Sequence, residues 1–445
     1  MAEPSNDQAA ILRSPAELLQ DLIRFDTTNP PGNEADCIAF VNDLLTGAGF
    51  ETTILALDPK RPNLITRLAG RGEAPPLLLY GHVDVVTTEN QAWQYPPFEG
   101  KLVDGYVWGR GALDMKSSVA MMLAALQRAK AENLAPPGDI VLAILSDEEA
   151  GGDFGAKYLV ENHPEHFEDI RYALGEFGAF TLHIGSRRLY PIMVAEKQIC
   201  WMKASVSGPG GHGSLTMRGG AMARLARVLQ ILDRRRLPVH ITPVTRMMVE
   251  GMASALPFPK GFVMRQLLRP GLTDRVLALF GERRHAFEPL FRNSVNATIV
   301  RGGEKINVIP SEISLELDGR LLPGYRPDEM MAELHQLIGD EVKLELIRHD
   351  PAPAEPDMGM FDTLSAVLKE FDPEAVATPM LAPGVTDGRF FSRLGIQTYG
   401  FMPMKLPPGF DFSKTVHAAD ERIPVEALDF GTAAIYRVMQ RFGGG

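Results

Sequence analysis

The stretch Ile140-Val-Leu-Ala-Ile-Leu145-Ser146-Asp147-Glu148-Glu149 decides the architecture. A continuous apolar run bounded by small polar residues reads as a strand buried on both faces, the kind found in sheets that helices cover from either side. Consecutive side chains leaving such a strand point in different directions. Glu148 and Glu149 can therefore divide two tasks at its carboxyl end, one binding a cation while the other handles a proton. Taken alone, an acidic pair after a strand is usually a solvated loop.

Equivalent places along the chain carry similar residues. The run Pro76-Leu-Leu-Leu-Tyr80 is a second short strand that delivers Gly81-His82-Val83-Asp84. Neutral imidazole is a good metal ligand, and a carboxylate two residues on can orient it, although an isolated H-x-D is more often structural. Asp114 stands just before the amphipathic stretch 117–130, where an acidic residue is commonly only a helix cap. Tyr172-Ala-Leu-Gly-Glu176 repeats the pattern of a strand followed by a carboxylate, and Val416-His417 lies near the C-terminus. Together these residues supply imidazole and carboxylate but no thiolate. That set suits two neighbouring divalent ions bridged by one carboxylate and one water, an arrangement for in-line attack on a carbonyl or phosphoryl group.

The segments LLLYGHVDVV (77–86), WGRGALDMKSSVA (108–120), ILSDEEAGGDFGAKYL (144–159), GPGGHGS (208–214), NVIP (307–310), GVTDGRFF (384–391) and VHAADERI (416–423) follow one another in a familiar order. In them the chain resembles the dinuclear zinc exopeptidases and amidohydrolases that include carboxypeptidase G, aminoacylase, carboxypeptidase S and succinyl-diaminopimelate desuccinylase. The resemblance implies that two zinc ions are held per chain, with cobalt or manganese as possible substitutes, since these ligands discriminate weakly among such metals. His82 and Glu176 would serve one ion, Glu149 and His417 the other, and Asp114 would bridge both. Glu148 falls on the general base, Asp84 on the partner of His82, and the bond Asp114–Met115 on a peptide that is often cis.

Composition agrees with an enzyme of this type. The 445 residues, 45% of them hydrophobic, suffice for two domains with separate cores. A net charge of −11 with interspersed signs argues against nucleic acid or an anionic membrane as the main partner. Two cysteines, Cys37 and Cys200, suit a reducing compartment as small buried hydrophobes. Met1-Ala-Glu-Pro-Ser-Asn-Asp shows neither a positive n-region nor an apolar h-region, so a cytoplasmic location is the expectation. Strand and helix patterns alternate in 1–193 and 352–445, predicting an α/β catalytic domain with a mostly parallel twisted sheet and helices on both faces. Residues 194–351 read as an inserted β-α-β-β-α-β, ferredoxin-like α+β lid or dimerisation domain. The proline-punctuated stretch 240–293 is a largely helical insertion within it.

The resemblance also implies substrate contacts. His212 matches a histidine that hydrogen-bonds the substrate carbonyl oxygen, in dimeric members from the neighbouring subunit, so a homodimer through the inserted domain is expected. Asn307 and Arg320 match residues that hold the substrate's carboxylate end, for which a guanidinium fork is suited; a surface ion pair is the other reading of Arg320. Gly384 and Arg389 have counterparts near the substrate. These roles describe a zinc-dependent carboxypeptidase, dipeptidase or deacylase acting on a short peptide or N-acyl amino acid. A dinuclear aminopeptidase uses nearly the same ligand order but lacks so long an insertion, and an inactive binding homologue would have replaced a ligand or Glu148.

Overall fold

The structure, a computed structural model, describes residues 13–184 and 187–443. The chain divides into two compact units. One comprises Met1–Val194, Asp357–Met380 and Thr386–Gly445, the other Ala195–Pro356 and Leu381–Val385. The segment 381–385 thus groups with the second unit rather than the first, where the sequence reading put it.

The first unit is built on a large sheet whose centre runs Ile140–Leu145, Leu77–His82, Tyr172–Gly175, Gln397–Gly400, all parallel. Every residue of Leu77–His82 and Ile140–Leu145 is buried, as their unbroken apolar character requires. Side-chain alternation sends Leu78, Tyr80, Val141 and Ala143 against helix Ala156–Asn162 with Phe390 and Phe391. The opposite face meets helix Lys116–Ala131, so closely that a Cβ on Gly81 would lie 3.1 Å from Val119. The flanks are antiparallel: Asn63–Leu68 against Ile140–Leu145, Thr52–Leu55 against Asn63–Leu68, and Arg187–Glu196 against Gln397–Gly400. The expected mostly parallel sheet is therefore parallel only at its centre. A crossover to a parallel neighbour needs a dozen or so residues, and the connection 56–62 is too short for one.

The second unit has a four-stranded antiparallel sheet in the order Ser294–Arg301, Glu312–Leu321, Gln198–Ser207, Lys343–Asp350. Met202, Ala204, Leu315 and Leu317 share a core with Leu225 of helix Ala221–Arg234 and Leu334 of helix Pro327–Ile338. This chain order and strand order are those of a split β-α-β-β-α-β unit. Between the first helix and the second strand, residues 240–293 form helices Pro243–Ala255, Lys260–Arg265, Pro270–Ala278 and Arg284–Phe287 with short 3-10 turns. Gly211–His212 pairs with Val308–Ile309 as a separate two-stranded ladder. Cys37 and Cys200 are buried free thiols. Among the described residues no helix is long and apolar enough to cross a membrane.

Candidate metal centre

The parallel strands of the first unit end together, and their carboxyl ends carry ligand-type residues. His82 closes its strand, Glu176 follows Gly175, and Glu148-Glu149 form a 3-10 turn after Leu145. A Cβ on Gly175 would fall 2.0 Å from the Tyr80 ring, so glycine is what lets Glu176 arrive beside His82. His82 Nε2 lies 3.2 Å from Glu176 Oε2 and 3.3 Å from Asp114 Oδ1. Asp114's other oxygen, Oδ2, lies 3.1 Å from His417 Nε2, which is 3.3 Å from Glu149 Oε1. One carboxylate thus faces two imidazoles, each accompanied by a further carboxylate. The Asp114–Met115 peptide is cis.

These residues fit divalent cations. Asp114 Oδ1 and Glu149 Oε1 are buried yet accept no hydrogen bond. The ligand atoms of each group all lie within 4.8 Å of one another. Their nearest separations, 3.1–3.3 Å, approach the roughly 3.4 Å expected between ligands of a tetrahedral zinc. Electrostatics agree. Burial pushes Glu149 up to about 7, and burial together with Glu176 raises Glu148 well above the carboxylate range. Asp114 and Glu149 push His417 up to about 10. Burial alone would depress His82, but Asp114, Asp84 and Glu176 hold it well above the usual imidazole value. The crowded acids call for positive charge, which protons or metal ions can supply.

Asp84 organises both sides of this cluster. His82 Nδ1 is 3.0 Å from the Asp84 carbonyl and 3.4 Å from its carboxylate. The same carboxylate accepts the backbone amides of Glu148 and Glu149, both at 3.1 Å, and Asn29 Nδ2 at 2.8 Å. Asp147 makes those amides available by taking a left-handed conformation, φ 74°, which Asp tolerates better than most residues. Its own carboxylate receives Asn29, Arg61 and the Phe154 amide.

The chain matches peptidase family M20/M25/M40 over residues 78–441. It belongs to that family. It is 28% identical to the human N-fatty-acyl-amino acid synthase/hydrolase PM20D1, covering 82% of this chain and 74% of that one. It is 31% identical to the Dictyostelium discoideum protein described as "Probable carboxypeptidase S-like 2", covering 79% and 68%. Its fold matches human carnosine dipeptidase 1 with a TM-score of 0.66 at 15% identity, over 99% of this chain and 100% of the other. As an M20 family member the protein is a hydrolase of a group whose members act on amide bonds in peptides and N-acyl amino acids.

The remaining expected site residues of this M20 chain fare differently. His212 and Asn307 are exposed neighbours in the second unit: His212 pairs with Val308, and the Gly213 amide donates to the Asn307 carbonyl at 2.8 Å. Arg320 sits at the far end of the same strand system, where it pairs with Ile199, whereas Glu312 pairs with Ser207 near His212. At about 3.4 Å per residue that is roughly 27 Å. One chain therefore does not bring Arg320 and Asn307 to the same carboxylate, contrary to expectation. Arg320 instead holds Asp318, with Nε 2.8 Å from Oδ1, the ion pair that was its other reading. Gly384 is exposed, and a Cβ there would meet nothing. Arg389, expected near substrate, is 3% exposed and donates to the Thr386 and Gly151 carbonyls at 2.6 and 2.8 Å. It braces the turn that follows Glu149.

Three supporting residues escaped the sequence reading. Asn29 links Asp84 to Asp147. Glu421 accepts the Leu113 and Asp114 amides at 2.7 and 3.2 Å while holding Arg110, and so fixes the loop that presents Asp114. Asp387 is buried with no hydrogen bond to either carboxylate oxygen, and burial pushes it up to about 8. Glu421 and Asp387 lie inside VHAADERI and GVTDGRFF, so those motifs could have pointed to both. Asn29 carries only a turn signal, the Asn-Pro-Pro-Gly run.

Proposed function

We propose that the protein hydrolyses an amide bond next to a free carboxylate in a short peptide or N-acyl amino acid, using two zinc ions and Glu148 as general base. His82, Asp114 and Glu176 would hold one ion, and His417, Asp114 and Glu149 the other. The observation that carries this reading is Asp114, whose two oxygens face two separate imidazoles, with Glu148 at 12% exposure outside both groups. When bound, the ions supply Lewis acidity towards a water and the amide carbonyl. Glu148 accepts the proton of the attacking water and returns it to the leaving amine. Asp84 keeps His82 and the Glu148-Glu149 turn in register through the bonds described above. His212 Nδ1 accepts the Ser214 amide at 3.3 Å, which leaves the proton on Nε2 to donate to the developing oxyanion.

Arg320 and Asn307 would bind the substrate carboxylate. Because one chain sets them about a strand length apart, this reading calls for two copies: His212 and Asn307 from one, Arg320 from the other. The edge strand Ser294–Arg301, with Ile299 and Val300 exposed, offers a surface for such pairing. The substrate names carried by the relatives, fatty-acyl amino acids and dipeptides, set the panel to screen. Zinc-loaded protein should hydrolyse members with a free carboxylate and lose most activity on their amidated counterparts. Equal rates on both would refute the exopeptidase or deacylase reading.

A further inference from the structure

The helical insertion of the second unit carries a surface that the hydrolytic reading does not use. Helix Lys260–Arg265 continues through a 3-10 turn to Leu268. Gly261, Met264 and Leu267 form its buried stripe, and a Cβ on Gly261 would fall 2.4 Å from the Ala253 carbonyl. Phe262 and Arg265 are exposed on the helix itself, and Phe258 in the turn before it and Arg269 just after the 3-10 turn are exposed as well. Phe258 is 86% and Phe262 57% exposed. Lone exposed aromatics are ordinary, but here two lie four residues apart in one short segment that also exposes Lys260, Arg265 and Arg269.

We propose that this face docks the protein on an anionic lipid surface. The chain as a whole carries −11, which argues against such a partner, but the acids are not evenly spread. No acidic residue lies between Glu250 and Asp274, a stretch that holds Lys260, Arg265 and Arg269. Among the described residues none of these three cations has an ion pair. Pro270, next to Arg269, also walls an open groove of about 520 Å³ whose charged lining is Arg234, Arg235, Arg236, Arg292 and Asp274, the last two paired. Arg236 is held by Glu288, whereas Arg234 and Arg235 are exposed and among the described residues have no ion pair. Exposed phenyl rings in a segment that has three unpaired cations and no acid match a layer of acyl chains beneath phosphate head groups. The proposal stands independently of the catalytic reading.

Sedimentation with vesicles tests it. The full chain should sediment with phosphatidylcholine vesicles containing phosphatidylglycerol, not with phosphatidylcholine alone, and added salt should release it. The triple variant Lys260→Glu, Arg265→Glu, Arg269→Glu should bind at least about a hundredfold more weakly, from about fivefold per lost cation. The Phe258→Trp protein should shift its emission to the blue on binding. Phe258→Ser with Phe262→Ser should weaken sedimentation, while hydrolysis of a water-soluble N-acetyl amino acid stays unchanged in every variant. Absence of wild-type sedimentation, or binding unaltered in both variant sets, overturns the proposal. So does a fall in oligomer mass in the phenylalanine variant with vesicle binding intact, which would assign the face to a second copy of the chain.

Discussion

Glu148 and Glu149 are adjacent and chemically identical, and only their surroundings separate the tasks proposed for them. Glu149 approaches His417; Glu148 touches neither imidazole and has the Arg389 guanidinium 4.0 Å away. Glu148→Gln should therefore cut turnover by at least about a hundredfold, the usual scale for loss of a general base, while elemental analysis still finds two metals per chain. Undiminished turnover would remove Glu148 from that role. Asp114→Ala should lower the content of both ions together, because each oxygen serves a different group, whereas His417→Ala should lose one. A variant of Asp114 that keeps one ion at full occupancy would show that the bridge is misassigned. His82, Glu149 and Glu176 were legible because each stands at or just after a strand end, and Asp114 because it precedes a helix; His417, in a turn between a short helix and strand Arg422–Pro424, carries no such signal and was legible through the resemblance. The surface ion pair of Arg320 was one of its two readings, whereas the partners of Arg389 were not legible. A guanidinium binds whatever carboxylate or carbonyl lies closest in space, here Asp318 in one case and the Gly151 and Thr386 carbonyls in the other.

At the scale of elements, helix Phe361–Phe371 is pinned to strand Arg187–Glu196 through Asp372, the residue that ends it. Arg188 reaches Asp372 with Nε at 2.7 Å, and Tyr190 Oη donates at 2.9 Å. Arg188, against the opposing effect of burial, holds Asp372 down at about 2. In the unfolded chain an aspartate titrates near 3.9. The tie therefore contributes fully above pH ~4 and is lost as the pH falls towards ~2, since the unfolded state takes up the proton first. The contribution is about 2 kcal/mol. Urea unfolding of wild type and Asp372→Asn should differ by about that much near neutrality, and the gap should close between pH ~4 and ~2. A gap constant across that window would count against the tie. The central strands were legible because Leu77–His82 and Ile140–Leu145 are uniformly apolar. Pairing sense at the flanks depended on connection length, a signal present in 56–62 but weaker than hydrophobic pattern, and strand Gln397–Gly400 is too short and too mixed in character to announce its central place.

At the scale of the whole molecule, the distance between Arg320 and Asn307 makes assembly testable. If His212 serves a partner's substrate, mixing inactive Glu148→Ala with inactive His212→Ala protein should restore activity towards half in each mixed dimer, since one site then has both wild-type residues. On the proposed two-copy reading, mixing Glu148→Ala with Arg320→Ala should restore nothing, because that reading assigns the Arg320 and Glu148 of one chain to the same substrate. Subunit exchange verified by mass, without recovery in the first mixture, would leave the hydrolase assignment standing and remove the obligate dimer. The order of the large sheet has another outcome, in the making of the protein. Gln397–Gly400 lies between Tyr172–Gly175 and Arg187–Glu196 in space but leaves the ribosome roughly 200 residues after them, about 10–40 s at ordinary elongation rates. The second unit is complete before that strand exists. It is therefore expected to fold first, inside a nascent chain whose sheet still has a gap at its middle, and premature termination before residue 397 should yield a folded insertion in an unfinished frame.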